Sequence, residues 1–387
     1  MPINVSFFGV LYFCHFIFGA TKITNYLLHK TYLKVHKLIL ISFKNHSDFR
    51  LEMNEDVIAI AGLNGVGKTS VLDAIHFLCI GKSYFSATDI QCIQEGEIQS
   101  GVLATIATSE KIELKVKLKR GGRKVIERNG VPYKKVTDHI GEFMAVTIAP
   151  GDIELIYGSN TVRRSFINQI LCQVDANHLA ELIKYNRLIE HRNKHLKEDT
   201  VDLALIHTLD FQIAPLAASI YTRRSEFLKE FSAVYAEKYH LLSGEKELAS
   251  LQYISQLEHN TYAELVAMNQ RKDIAVQRSF SGIHKDELEL NIGDFPLKKY
   301  GSQGQIKTSL IALKIAEFTY LQKATGKTPF LLLDDIFEKI DEERASVLTQ
   351  IVKNDNFGQI FITDTNEDRL NTFCEEIGIP YKTITIS

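Results

Sequence analysis

The chain has 387 residues, with 45 Lys and Arg against 47 Asp and Glu and a formal net charge of -2. That length allows two domains with sizeable cores, and the balanced charge excludes a polycation, so any contact with nucleic acid has to come from a local basic patch. The cysteines Cys14, Cys79, Cys92, Cys172 and Cys374 are scattered and form no CxxC pair, which argues against a disulfide framework or a zinc site and fits a reducing cytosol.

Residues 3–20, INVSFFGVLYFCHFIFGA, carry no Lys, Arg, Asp or Glu. Length alone allows a membrane span or a signal-peptide core, but no basic residue precedes the run. Residues 1–30 are expected to be an extension upstream of the fold, with a membrane anchor as the alternative. Val35–Phe43 reads as a strand, and Val57–Ala61 is an apolar run of the buried-strand type. A Gly-rich turn follows. The spacing of Val71, Ala74, Ile75, Leu78 and Cys79 then predicts a helix from about Thr69 to Ile80.

Between 111 and 135 the period changes. Ile112, Leu114, Val116 and Leu118 alternate with Glu113, Lys115, Lys117 and Lys119, the pattern of a half-buried strand. Gly121-Gly122 and Asn129-Gly130 are hairpin signals, so the segment is a β-meander with an apolar and a basic face. From about Asn160 to Phe280 the pattern is helical, with 15 Lys and Arg and 15 Asp and Glu between Asn160 and Gly282. No heptad runs long enough for a coiled coil. Strand signals return at Leu288–Ile292, Phe330–Leu333 and Gln359–Thr363. The expected architecture is an α/β nucleotide-binding lobe built from 31–158 and 283–387, with a mostly helical lobe, 159–282, inserted between them.

Gly62-Leu63-Asn64-Gly65-Val66-Gly67-Lys68-Thr69 fits the P-loop pattern GxxxxGK[ST] between a predicted strand and a predicted helix, the context that motif requires. Such a loop turns backbone N–H groups and a helix N-terminus toward phosphates. Lys68 is placed for the β- and γ-phosphates of ATP and Thr69 for Mg²⁺. Phe330–Leu333 runs into Asp334-Asp335, a Walker B arrangement in which Asp334 holds Mg²⁺ and Asp335 faces the attacking water as the catalytic carboxylate. Lys68 and Asp334 lie 266 positions apart, as they would in an ATPase lobe interrupted by an insertion. Ser302-Gln303-Gly304-Gln305 opens a helix with Ile306, Leu310, Leu313 and Tyr320 on one face. Ser302 suits an N-cap, and the turn is a second anion site. It resembles the ABC signature motif, which implies a contact with the γ-phosphate held by a partner subunit.

Several further segments make the resemblance specific. They are Tyr32-Leu33-Lys34 with Phe43-Lys44-Asn45; Pro150 and Asp152 followed by Gly158, Arg163 and Arg164; Tyr185-Asn186-Arg187 with Arg192-Asn193; and Gly282-Ile283-His284-Lys285-Asp286. In this order, from about residue 31 to the C-terminus, the chain resembles the RecF family of ABC/SMC-type P-loop ATPases. The resemblance implies a cytosolic, weak DNA-dependent ATPase with ATP and Mg²⁺ as cofactors. It also implies a homodimer on ATP, binding to single-stranded and gapped duplex DNA, and action with RecO and RecR to load RecA. Two positions depart from the wider ABC pattern. Asp335 stands where Glu is usual, one methylene shorter, which is consistent with slow turnover. Thr363-Asp364 stands where transporters carry a switch His.

Between Lys111 and Lys135 there are 10 Lys and Arg against 2 Asp and Glu. Lys115, Lys117, Lys119, Arg120, Arg123 and Lys124 are therefore candidates for phosphate contacts, with a solvated strand face that discourages edge pairing as the competing reading. Arg163 and Arg164 are second candidates, with tying the two lobes together as their alternative role. A transport ATPase would need a membrane-coupling surface, an SMC-like structural protein would need long heptads, and a non-hydrolysing switch would look the same in these motifs.

Overall fold

A computed structural model describes residues 33–387 apart from 108–109, 339–341 and 355–356. The apolar stretch 3–20 and the expected extension 1–30 lie outside the described residues. The apolar runs β3 (Val57–Ala61), β8 (Ala145–Ile148), β12 (Phe330–Asp334) and β13 (Ile360–Asp364) are buried along their whole length, as strands covered on both faces must be. With β14 (Tyr381–Thr385) they form a parallel sheet in the order β14-β3-β13-β12-β8. Alternate residues serve different cores. Val57, Ala59, Leu331 and Leu333 face one cluster, while Ile58, Ile60, Phe330 and Leu332 face the other, which is the two-residue period at work.

The second cluster is roofed by an antiparallel sheet. Its strands are β1 (Lys34–Phe43), β2 (His46–Glu52), β4 (Gln99–Ala107), β5 (Lys111–Lys119), β6 (Val125–Arg128) and β7 (Val131–Pro132), ordered β2-β1-β4-β5-β6-β7. Helix α1 (Lys68–Ile80) lies between the two sheets and buries 11 of its 13 residues, the polar Lys68, Ser70, Asp73 and His76 among them, so it is covered all round rather than on one stripe. The meander has the expected hairpins and the expected alternation. However, β5 pairs with β4 on one side and β6 on the other. Its lysines therefore line a solvated face and guard no edge.

The helical block contains α2 (Asn160–Val174), α3 (Ala176–His195), the 40-residue α4 (Leu203–Leu242) and α5 (Tyr262–Ala275). Tyr185 and Ile189 of α3, Leu209, Ile213 and Ile220 of α4, and Leu265 of α5 form a third cluster. By length and composition α4 passes the test for a membrane-crossing helix; here it packs against α3 and carries the buried Asp210 and Arg224. The block is not wholly helical. β9 (Ala249–Ile254) pairs with β10 (Glu287–Ile292), and β10 with β11 (Phe295–Pro296). The strand read at Leu288–Ile292 thus joins this small sheet and not the parallel one. The remaining long helices, α6 (Gln303–Thr325), α7 (Glu342–Asn354) and α8 (Glu367–Ile377), return to the parallel sheet's side of the molecule.

Candidate nucleotide-binding site

The carboxyl ends of β3, β13 and β12 meet at one edge of the parallel sheet, where open α/β sheets bind ligands. The register places Ala61 beside Asp364, and Thr363 beside Asp334. The loop Gly62–Gly67 leaves β3 and enters α1. At Gly62, φ is 155° and a Cβ would come within 2.4 Å of the Ile386 carbonyl oxygen; at Gly67, φ is 104° and a Cβ would come within 2.6 Å of His46 Nε2. Both positions need glycine for conformation and for space. Leu63 points out, 76% exposed, while Lys68 is buried and donates from Nζ to the carbonyls of Gly62 (2.7 Å) and Leu63 (3.1 Å).

Thr69 Oγ1 donates to Asp334 at 2.9 Å, and Thr363 Oγ1 donates to the same carboxylate at 2.9 Å. Asp334 is 4% exposed, and no ion pair reaches it among the described residues. Burial raises its carboxyl above the ordinary value, opposed by the Thr363 and Thr69 hydroxyls and the Lys68 ammonium. A buried carboxylate beside a threonine hydroxyl, both hard oxygen donors, fits Mg²⁺. Asp335 follows with φ at 45°, and its N–H donates to Thr363 Oγ1 at 3.1 Å. A non-glycine residue held there is strained in a way that clusters at functional sites.

Ser302 caps α6 as expected. Its Oγ accepts from the Gln305 N–H at 3.2 Å, and its own N–H donates to Gln305 Oε1 at 2.8 Å, a reciprocal capping box. Gln305 Nε2 also donates to Glu247 Oε1 at 2.9 Å, and Gln303 is exposed. A fully buried Lys314–Glu317 pair (2.6 Å) lies further along the same helix. Lys314 Nζ sits 5.6 Å from the Tyr84 ring, and that ring packs edge-on against His76 of α1 at 5.0 Å. Ring contacts through the half-buried Tyr84 therefore link the P-loop helix to the capped helix.

Sequence reasoning missed three contributions. Asn45 Nδ2 donates to the Gly65 carbonyl at 2.9 Å, and His46 Nε2 lies 3.0 Å from the Gly67 carbonyl, so the β1–β2 turn props the loop from outside. The signal for Asn45 was its place in a two-residue hairpin turn. Thr363 touches Asp334 and Asp335 together, whereas Asp364 is occupied with Arg369 (2.9 Å) and the Asn366 N–H (2.8 Å) at the start of α8. Asp364 is an anchor for that helix, not a stand-in for a switch histidine.

The basic candidates divide. Lys117 is ion-paired to Glu127 (2.5 Å) and Lys124 to Asp89 (2.8 Å), and Arg120 donates to the carbonyls of Glu97, Ile93 and Gln94. Lys119 and Arg123 are exposed and Lys115 is half-buried. Arg163 donates to the carbonyls of Leu155, Ile156 and Gly158, and Arg164 to the Asp286 carbonyl at 2.6 Å, so both guanidinium groups are engaged within the chain.

A glycine loop between a parallel strand and a helix, a buried Thr–Asp oxygen pair beside it, and a capped turn on a separate helix define a P-loop ATPase of the ABC/SMC type. The family model described as RecF/RecN/SMC N terminal domain matches residues 34–386. The DNA replication and repair protein RecF of Flavobacterium johnsoniae is 38% identical over 359 residues, covering 90% of this chain and 99% of that protein. The RecF protein of Porphyromonas gingivalis is 38% identical over 356 residues, covering 91% and 98%. A solved structure of the recombination mediator protein RecF with ATP, in the RecFOR pathway, superposes with a TM-score of 0.81 at 25% identity, covering 88% of this chain and 94% of that one. An Smc head bound to the C-winged helix domain of ScpA has a TM-score of 0.53 at 16% identity, with 87% and 91% covered, a likeness of fold alone. The chain belongs to the RecF family of DNA replication and repair proteins.

Proposed function

We propose that the chain is an ATP-dependent DNA-binding protein of recombinational repair and replication, and that ATP draws two copies together. The observation that carries this reading is the meeting of Gly62–Thr69, Asp334 and Thr363 at one sheet edge. The loop N–H groups and the start of α1 take the phosphates. Lys68, held by two neutral carbonyls, exchanges them for phosphate oxygens, which make stronger charge-assisted bonds. Thr69 and Asp334 would hold Mg²⁺, which when bound neutralises charge between the β- and γ-phosphates. Asp335 orients or deprotonates the attacking water, and its short side chain fits slow hydrolysis.

The exposed turn Ser302–Gln305 supplies a second anion site for ATP held by the other copy. Nucleotide in the interface then stabilises the dimer, and hydrolysis releases it. The similar solved structure is described as a recombination mediator in the RecFOR pathway, which supports a role beside RecO and RecR; action at single-stranded and gapped duplex DNA and the loading of RecA are what the family resemblance adds. Lys68→Ala tests the reading. Light scattering with Mg-ATP is expected to show dimers for the unaltered chain and monomers for this variant. ATP-driven dimers from Lys68→Ala would refute the nucleotide-site assignment.

A further inference from the structure

We infer that the cleft between α3 and α4 is a contact surface for the phosphate backbone of duplex DNA. This rests on the DNA-binding reading above and gives that reading a location. The cleft has a volume of about 1130 Å³, and Lys184, Arg187, His191, Lys194 and Lys197 line it with a single acidic residue, Glu190. Steps of three, four and three residues put Lys184, Arg187, His191 and Lys194 on one face of α3, and Lys197 follows just beyond the helix. From Lys184 to Lys194 the helix rises ~15 Å, long enough to meet several phosphates of one strand.

All five side chains are exposed. Among the described residues, none of Lys184, Arg187, Lys194 or Lys197 forms an ion pair or a side-chain hydrogen bond. Solvated cations on a concave wall reinforce one another's field and concentrate polyanions. The meander has this property only in part, because Lys117, Lys124 and Arg120 already have partners and Lys115, Lys119 and Arg123 remain. The two walls of the cleft are also fixed in advance. Arg192 of α3 is locked to Asp210 of α4 at 2.7 Å, and Tyr185 and Ile189 pack on Leu209 and Ile213 beneath. The cationic row is thus presented on a rigid support, which limits the ordering cost of binding. Contacts confined to phosphates carry no sequence information, so the binding is expected to be independent of sequence.

The test uses the full chain with Mg-ATP and a 30-base-pair duplex, followed by fluorescence anisotropy over a range of salt concentrations. The variant K184Q/R187Q/K194Q/K197Q is expected to reduce the log–log salt slope by roughly 3 to 4, at about 0.9 per phosphate. The comparator K115Q/K119Q/R123Q is expected to leave it unchanged, with ATP-driven dimers and melting temperature retained in both. K184R/K194R/K197R, which keeps the charge, restores binding. Should the quadruple variant not fold, Lys184→Gln and Lys194→Gln singly are each expected to lower the slope by about 0.9. An unaltered slope in folded cleft variants, or a loss confined to the meander comparator, overturns the inference. An unaltered chain that binds no duplex at low salt overturns the DNA-binding reading itself.

Discussion

Asp334 and Asp286 are both carboxylates withdrawn from water, at 4% and 1% exposure, and their surroundings differ. Asp286 accepts from Arg224 at 2.7 Å, from the Tyr253 hydroxyl at 2.5 Å and from Ser255 at 2.7 Å. Asp334 accepts from the hydroxyls of Thr69 and Thr363. The first charge is balanced within the chain, where it ties α4 to the start of β10. The second is met by two hydroxyls and the field of Lys68, with no ion pair among the described residues, and so suits a cation ligand. A buried charge completed by its own chain is a structural clamp, and one left for a visitor is a binding site. Arg192 repeats the clamp, with Asp210 and Asp273 both at 2.7 Å.

Arg224→Leu tests the clamp and carries the largest expected effect. It strands Asp286 without a cation, and breaking a buried pair costs ~3–5 kcal/mol. Urea unfolding without nucleotide would measure the loss. Asp334→Asn in the same assay is expected to cost little or to stabilise slightly, because it removes a buried charge that has no ion-pair partner among the described residues. The contrast between the two sites collapses if the two variants lose stability equally.

Asp335→Asn sharpens the comparison on the catalytic side. Asparagine tolerates a φ of 45°, so the turn survives while the carboxylate is lost. ATP binding and dimer formation are expected to persist, and phosphate release to fall by roughly 100-fold or more. Unchanged turnover would remove Asp335 from the catalytic role.

The motif-bearing edge was legible in the sequence because its chemistry is local. Gly62–Thr69 spans eight neighbouring positions, and Ser302 finds its capping partner three residues on. Three strands of the parallel sheet, β3, β12 and β13, announced themselves as short apolar runs, whereas β8 and the half-exposed β14 were not read. The clamps were not legible, because Arg224 meets a carboxylate 62 positions away and Arg192 one 81 positions away. Nothing local separates such an arginine from a solvated one. β9 was missed for another reason. ASLQYI alternates buried and exposed residues, but six residues amid long helical patterns are too short to outweigh them.

The helical lobe and the segment that follows it also predict acid sensitivity. His178 is fully buried with neither ring nitrogen bonded, and burial, reinforced by Arg224 and Arg223, lowers its pKa to about 4. Burial likewise lowers His284 to about 4. The folded state therefore holds these rings neutral, while the unfolded chain protonates them below about 6.5. Stability is full above that value and falls as the pH drops toward 4. His178→Leu is expected to shrink the stability difference between pH 7.5 and pH 5 by roughly 1–2 kcal/mol. An unchanged difference, measured by denaturation at both pH values, would show that the ring is hydrated or paired in solution.

The smallest expected effect concerns the support of the P-loop. Asn45 is exposed, yet its amide holds the Gly65 carbonyl at 2.9 Å. Gly65 has a φ of 87° and open space around it, so neighbouring side chains do little to fix its peptide. The loop's N–H groups can take phosphates only in one arrangement, and each prop removes alternatives that would otherwise be populated before ATP binds. Asn45→Ala removes a single neutral hydrogen bond, worth about 1 kcal/mol, and leaves His46 at Gly67 in place. ATP affinity is expected to weaken by roughly fivefold, with melting temperature in the absence of nucleotide nearly unchanged, because the bond orders a loop and supports no core. Calorimetric titration of ATP separates the outcomes. An equal loss of melting temperature and affinity would make Asn45 a fold residue. A loss of affinity alone would assign the β1–β2 turn to preorganising the phosphate site.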